Sequence, residues 1–342
     1  MTLITTYISL LAISSLHIAA AQVLDNDQIN LVVQRLAESA SHRYAVLHSL
    51  HSSLLSDDVS CLPDSWEYGT RAEALTELDA GDYSVFNNTR IPPPQHAPPS
   101  SLDTVMQIAA QVIANRSAQL SGLTPPVPLF PGDASVGDPA SMGVTVLIAN
   151  WTGLGNSSFD YASAATDQLN YLLNVAPKSD DGAISHRTDE VQLWSDFMSM
   201  APPFIAYYGV TSANRSLLEY AYNQCKLYRS HLLDSLPGTS GGVWRHMALG
   251  NGTDSGHWST GNGWAASGML RVLATIKNSQ FANSMKGEMN DLGNWVTEIH
   301  NGMYSLMVRL SVSFSSRLRD EITILLASRR SVLQLCGPEL YV

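Results

Sequence analysis

The segment from Asp181 to Val210 constrains the fold most, because its longer part, after Glu190, is almost wholly apolar around one charge. Asp196 is the only charged residue within 191–214. Apolar side chains recur there at helical spacing, at Trp194, Phe197, Met198, Ala201, Phe204, Ile205 and Tyr208. A helix that is apolar nearly all round is buried. We therefore expect a buried helix centred on Asp196, which Pro202 and Pro203 break or kink about two turns in.

The carboxyl group of Asp196 is costly in such surroundings unless it is paired or protonated. Desolvation raises the pKa of a carboxylic acid, and a raised pKa suits a general acid. A structural aspartate, bound to backbone or held by an arginine, is the alternative that spacing alone leaves open.

Helical patterns follow one another along the chain, with almost no convincing strand. They cover residues 25–38, 65–78, 101–120, 137–151, 159–175, 212–236, 263–276 and 280–300. The joining loops alternate between short and long, which is typical of stacked helical hairpins. The pattern predicts an all-α fold, and an (α/α)6 toroid would place the long loops at one end and a pocket along its axis.

The composition narrows the class of partner. The net charge is −11 and the pI is about 5.2, which argues against nucleic acid and against an anionic membrane surface. Residues 1–21 have a short apolar core and small residues for cleavage, so we predict a signal peptide and an extracellular protein. Six N-x-S/T sequons agree with export, at Asn87, Asn115, Asn150, Asn156, Asn214 and Asn251. No later stretch is long and apolar enough to suggest a transmembrane span.

Cysteine and histidine spacing gives no metal signature, so we expect no metal site. The three cysteines, Cys61, Cys225 and Cys336, leave an odd one. A Cys61–Cys225 bridge is one pairing that the sequence leaves open.

Two loops combine aromatic and polar side chains. The first holds Arg245 and His246 in GGVWRHM, and the second holds Trp258 and Trp264 in HWSTGNGW. Aromatic faces pack on sugar C–H groups while His, Arg and Asn reach hydroxyls or a carboxylate. Either tryptophan could instead be a core anchor, and His246 alone could be structural.

The order of these motifs, DGAISHR, QLWSDFMSMAPPFIAYYGV, GGVWRHM and HWSTGNGWAASGMLRVLATI, resembles the unsaturated rhamnogalacturonyl hydrolases of glycoside hydrolase family 105. More distantly it resembles the unsaturated glucuronyl hydrolases of family 88. Both are six-hairpin glycosidases, and the resemblance covers about 180–300 strongly and 65–151 weakly. It implies hydration of the enol-ether double bond in a 4,5-unsaturated uronic acid at the end of a lyase-generated pectin oligosaccharide. This chemistry, as the resemblance implies it, needs no metal or organic cofactor.

The resemblance also implies roles. Asp196, in the W-x-D motif, would donate the proton, and Asp138 would assist it. Asp138 could equally be an ordinary cap before Pro139. His246, Trp258, Trp264 and Trp194 would line the sugar site, with Arg245 and His186 as weaker candidates. The family often has an arginine where this chain has Thr260, which puts recognition of the uronate carboxylate in doubt.

The C-terminal residues depart further from the family. We expect residues 22–300 to form the glycosidase-like domain and residues 301–342 an atypical tail. The tail is either a truncated or altered end of that domain, which would leave the ring incomplete, or a shortened final hairpin. Two other functions stay open: an ordinary glycosidase that uses Asp138 and Asp196 as acid and base, and an inactive glycan-binding relative. We expect a monomer.

Overall fold

α-Helices make up most of the chain that the computed structural model describes. It describes residues 65–87, 90–93, 99–153, 158–235 and 242–325, with side chains except at 235 and 307–325. The helices are α1 Ser65–Asp79, α2 Asp103–Gln119, α3 Gly137–Ala140, α4 Gly143–Thr152, α5 Tyr161–Asn174, α6 Ala201–Thr211, α7 Arg215–Leu232, α8 Ser259–Lys277 and α9 Lys286–Leu325. The predicted helix over 25–38 and the predicted signal peptide lie outside the described residues.

Consecutive helices pack as hairpins: α1 with α2, α4 with α5, α6 with α7, and α8 with α9. The first helices of neighbouring hairpins also touch, because α4 packs on both α1 and α6, and α6 packs on α8. The predicted all-α class of helical hairpins, of the toroid type, is thus confirmed for the described residues.

The segment around Asp196 differs from the prediction. It begins as strand β1, Leu193–Trp194, continues as a 3₁₀ turn, Ser195–Ser199, and becomes helical only at α6. Pro202 and Pro203 lie in the first turn of α6 and suit the start of the helix. Backbone N–H groups in the first turn have no carbonyl partner within the helix, so a proline there loses no hydrogen bond. The expected kinked helix is therefore wrong, whereas the expected burial is right, as in Phe197 and Phe204.

The described residues include four short strands that the sequence did not predict: those at 193–194 and 233–235 replace parts of predicted helices, and the other two lie in the predicted loop at 240–260. β1 pairs antiparallel with β4, Met247–Ala248, so that Trp194 lies opposite Met247. β2, Leu233–Ser235, pairs with β3, Gly242–Trp244. The backbone N–H of Ser195 extends the first pairing by donating to the His246 carbonyl at 2.9 Å. These pairings join the Asp196 turn to the loop before α8.

Helix α8 approaches the Asp196 turn closely because two glycines, seven residues apart, lie on the same helix face. A Cβ at Gly268 would overlap the Met198 carbonyl and come within 2.7 Å of the Ser199 nitrogen. A Cβ at Gly261 would overlap the Ser195 hydroxyl. The backbone of α8 therefore supports the turn directly.

An ion-pair cluster joins α8 to α1 at a distance from this turn. Arg271 contacts Glu73 and Glu77 at 2.8 Å each, and burial raises the pKa of the Glu73 carboxyl although Arg271 opposes that shift. Beside the cluster, side chains from α1, α4, α6 and α8 enclose a cavity of about 30 Å³. The four helices thus meet around a small polar centre.

Helix α9 continues past residue 300 without a break, so the predicted tail begins inside it. Residues 326–342 lie outside the described part, as do Cys61 and Cys336. Cys225 is a fully buried free thiol among the described residues, and its bridge to Cys61 stays a prediction because Cys61 lies outside them. None of the described helices is apolar over enough residues to cross a membrane.

Candidate active site

Four of the predicted site residues form one continuous aromatic wall. The ring of His186 stacks on Trp194 at 4.6 Å between centroids, with the planes 21° apart. Trp194 meets His246 edge-on at 5.6 Å, and His246 meets Trp258 at 4.7 Å. Both tryptophans are partly exposed. Alternating indole and imidazole rings can pack against a sugar while the ring nitrogens bind its oxygens.

Trp194 is fixed in place by its own strand. Its indole N–H donates to the Gln192 side chain at 2.9 Å, and the Gln192 amide donates to Glu190 at 2.8 Å. Glu190 also accepts the backbone N–H of Asn251 at 2.9 Å. The chain of bonds ties the tryptophan to the loop between β4 and α8.

Asp138 lies beside the His186 end of the wall. The Ser135 hydroxyl accepts the backbone N–H groups of Gly137 and Asp138 at 3.1 and 3.0 Å, and Val136 N–H donates to the His186 carbonyl. These bonds bring the Asp138 carboxylate within 3.6 Å of the His186 Nε2. A Cβ at Gly137 would come within 2.9 Å of the His186 ring, so only glycine allows this approach.

Burial raises the pKa of the Asp138 carboxyl. His186 and the bond from Ser135 oppose the shift, while the charges of Asp133 and Asp196 add to it. Asp138 therefore interacts electrostatically with both His186 and Asp196. A carboxyl with a raised pKa retains its proton to higher pH than an ordinary aspartate, so this environment favours acid chemistry.

The Oδ1 atom of Asp196 is buried and has no hydrogen-bond partner among the described residues. The Ser195 hydroxyl and the Nδ1 of His186 are also buried without a partner. The carboxyl is close enough to Tyr228 for its charge to contribute to a raised tyrosine pKa, of which burial is the main cause. Buried polar atoms are almost always satisfied, so several unsatisfied ones together are characteristic of a ligand site.

Two predicted site residues stand apart from the wall. The Arg245 guanidinium lies 3.7 Å from Asp234, which also lies 3.1 Å from His257. Trp264 lies half-buried on α8, and among the described residues it makes no ring contact with the wall. Their roles in binding stay predictions.

Sequence reasoning missed the residues that hold the wall together. Asp254 lies 3.0 Å from the His246 Nδ1. The buried amide of Asn262 accepts the backbone N–H of Trp244 at 2.7 Å and donates to the backbone carbonyls of Trp244 and Trp258. Asn262 carried a signal, since it lies in the predicted aromatic and polar loop just before the predicted helix at 263–276, but Asp254 lies in a Gly-rich loop that gave none.

Among the described residues, no group of three His, Cys, Asp or Glu side chains is arranged to hold a metal ion. The site as described therefore consists of two carboxyls, two imidazoles and two indoles.

Solved structures similar to this chain include a glycoside hydrolase of family 105 and two possible members of that family. A possible member from Klebsiella pneumoniae subsp. pneumoniae is 17% identical with a TM-score of 0.47, over 68% of this chain and 53% of that one. A possible member from Salmonella enterica is 16% identical with a TM-score of 0.49, and the match covers 79% of this chain and 66% of that one. A family 105 glycoside hydrolase from C. acetobutylicum is 15% identical with a TM-score of 0.45, and the match covers 67% of this chain and 58% of that one. The chain thus spans less than two thirds of each.

No curated protein matches the chain. The family model of Glycosyl Hydrolase Family 88 matches residues 137–303, which contain Asp138, Asp196 and the aromatic wall. The match confirms the resemblance recognised in the sequence: residues 137–303 are related to the glycosyl hydrolases of family 88.

Proposed function

We propose that the chain is a glycoside hydrolase that hydrates the enol-ether double bond of a 4,5-unsaturated uronic acid. The substrate would be the non-reducing end of a pectin oligosaccharide made by a lyase, of the rhamnogalacturonan type. The observation that carries the proposal is the pairing of two interacting carboxyls, Asp138 and Asp196, at one end of an aromatic wall.

The aromatic wall suits the binding of a terminal sugar. Trp194 and Trp258 offer two indole surfaces, and His246 between them offers a polar ring. A planar unsaturated ring can pack on an indole face while its hydroxyls and carboxylate reach the imidazoles. Packing of the sugar ring against the wall would then fix the orientation of the double bond relative to the two carboxyls.

In the proposed reaction, Asp196 donates a proton to ring carbon C4. Water adds at C5 and gives up a proton to a carboxylate, and the resulting hemiketal opens and releases the neighbouring sugar. The acid must carry its proton before the reaction, and burial favours the neutral form of a carboxyl. Burial raises the pKa of the Asp138 carboxyl, and we assign to Asp138 the role of assisting Asp196.

The test follows the ultraviolet absorbance of the enol ether while lyase-generated rhamnogalacturonan fragments are incubated with the protein. We expect decay with the wild type and none with Asp196→Asn, which keeps the size of the side chain. Asp180→Asn, which removes an exposed carboxylate elsewhere, serves as the matched control and should retain the wild-type rate. Absence of decay with a folded wild-type protein refutes the proposal for this substrate.

An ordinary acid–base glycosidase is the second candidate, and the same observation favours it, since paired carboxyls with separated environments suit that chemistry too. The two functions differ in whether the substrate must carry the double bond.

We also propose that the protein is exported. The predicted signal peptide supports this, and Asn115, Asn150, Asn214 and Asn251 all have exposed side chains. Expression in a eukaryotic host should give a secreted protein whose mass falls after treatment with an N-glycosidase. A wholly intracellular, unmodified product would contradict export.

A further inference from the structure

The ring of His246 is held from three directions. Its Nδ1 lies 3.0 Å from the Asp254 carboxylate. Trp194 packs against it from strand β1, and Trp258 packs against it from the start of α8. The side chain is only 11% exposed. With Nδ1 engaged, Nε2 is the ring nitrogen left for a ligand.

Asp254 is itself fixed by the backbone. Its other carboxylate oxygen accepts the Gly256 N–H at 2.8 Å, and its main chain exchanges hydrogen bonds with Met247. The Gly256 bond and then the bond to His246 lower the pKa of the Asp254 carboxyl. A charged carboxylate can only accept, so Nδ1 carries a proton. The Asp254 carboxylate, 3.0 Å from the ring, also attracts a positive charge at this place.

The groups that face His246 can be stated element by element. The loop after β4 contributes the Asp254 charge, while β1 and the start of α8 contribute the uncharged indoles of Trp194 and Trp258. Arg245, the preceding residue in the chain, is directed to Asp234 instead, because side chains alternate in extended backbone. Nε2 of His246 is therefore the polar ring atom that the central part of the wall presents to a ligand.

We propose that Asp254 is a positioning residue that holds His246 as an imidazolium whose Nε2–H donates to the carboxylate of the bound uronic acid. This inference rests on the proposed function and adds to it how the substrate's charge is recognised. The guanidinium expected from the family resemblance, replaced here by Thr260, is not needed on this account. The same contact would discriminate against a neutral sugar, since a charged donor binds a carboxylate more strongly than a hydroxyl.

The experiment compares the unsaturated disaccharide with its methyl ester, which keeps the double bond but lacks the charge. Asp254→Asn can still accept from Nδ1 but removes the negative charge. We expect it to raise KM for the charged substrate about tenfold near neutral pH, the loss typical of a charge-assisted hydrogen bond. We expect kcat and the KM of the methyl ester to change little. Asp254→Glu should restore part of the affinity, and Asp180→Asn should match the wild type.

The pH profile separates positioning from a merely structural role. Binding of the charged substrate should weaken as pH rises and His246 loses its Nε2 proton. In Asp254→Asn this loss should begin at lower pH, while the methyl ester should bind independently of pH. Imidazole ¹⁵N shifts from NMR report the protonation of His246 without any turnover. An unchanged His246 titration in Asp254→Asn overturns the proposal, and so does an unchanged KM.

Failure of the proposed function gives a different result. If the wild type binds the charged disaccharide without consuming it, only the hydration chemistry is refuted. The dissociation constants of the charged disaccharide and of its methyl ester then replace KM in the comparison. If the wild type binds neither compound, both proposals are refuted.

Discussion

Gly268→Ala should separate helix α8 from the turn that carries Asp196. The new methyl group would overlap the Met198 carbonyl, which belongs to the backbone and cannot rotate away as a side chain could. Either α8 or the Asp196 turn must move, so we expect effects on both stability and activity.

The magnitude can be worked from two opposing contributions. Overpacking against rigid neighbours costs about 3 kcal/mol at the upper end of its usual range. Alanine in place of glycine in a helix returns about 1 kcal/mol. The net loss is about 2 kcal/mol, which corresponds to a fall in Tm of about 4–8 °C for a domain of this size. A displacement of about 1 Å at the catalytic group lowers kcat on the order of 100-fold.

Thermal unfolding and the enol-ether absorbance assay measure the two effects. Gly263→Ala is the matched control, because Gly263 lies on the same helix and a Cβ there meets nothing within 4 Å. It should raise Tm by about 2–4 °C through helix propensity alone. Equal Tm changes in the two variants would refute the argument that Gly268 is required for close packing.

Three further outcomes are expected. Asn262→Ala leaves buried backbone groups of Trp244 unsatisfied and should destabilise the fold by about 2–4 kcal/mol in denaturant titration; a loss below about 0.5 kcal/mol would contradict this. Because burial raises the pKa of Asp138, its contribution to stability is greatest below the ordinary aspartate pKa and falls as pH rises through the raised value. The Tm of Asp138→Asn should therefore rise relative to that of the wild type as pH increases from about 3 to about 7. A difference in Tm that stays constant with pH would refute the sign of this effect. Arg271→Met should lower the free energy of unfolding by about 2–4 kcal/mol, because Glu73 loses its partner, and adding Glu73→Gln should recover part of the loss. An unchanged free energy of unfolding in Arg271→Met would show that the pair contributes nothing to folding.

Hydrophobic periodicity was sufficient to predict most helices. The helices at 103–119, 161–174 and 259–277 follow the predicted segments within a few residues, because each buries an apolar face against its neighbours. The same periodicity failed at the Asp196 segment. There the backbone pairs with residues far along the chain, as in Ser195 with His246, and spacing within a segment contains no information about such partners.

The candidate site shows the same division. His186, Trp194, His246 and Trp258 are residue types that suit sugar binding, so motif reasoning could select them. It could not show that Asp254 orients His246, since that contact depends on how the loop after β4 folds back. Nor could it show which carboxyl is desolvated, because the burial that raises the pKa of Asp138 depends on tertiary packing.

The requirement for the double bond tests the central claim most directly. The measurement compares the rate of release of the neighbouring sugar from one rhamnogalacturonan disaccharide before and after its double bond is reduced. Hydration chemistry predicts release from the unsaturated compound and none from the reduced one. Equal rates for the two compounds would contradict it and assign Asp138 and Asp196 to ordinary glycoside hydrolysis.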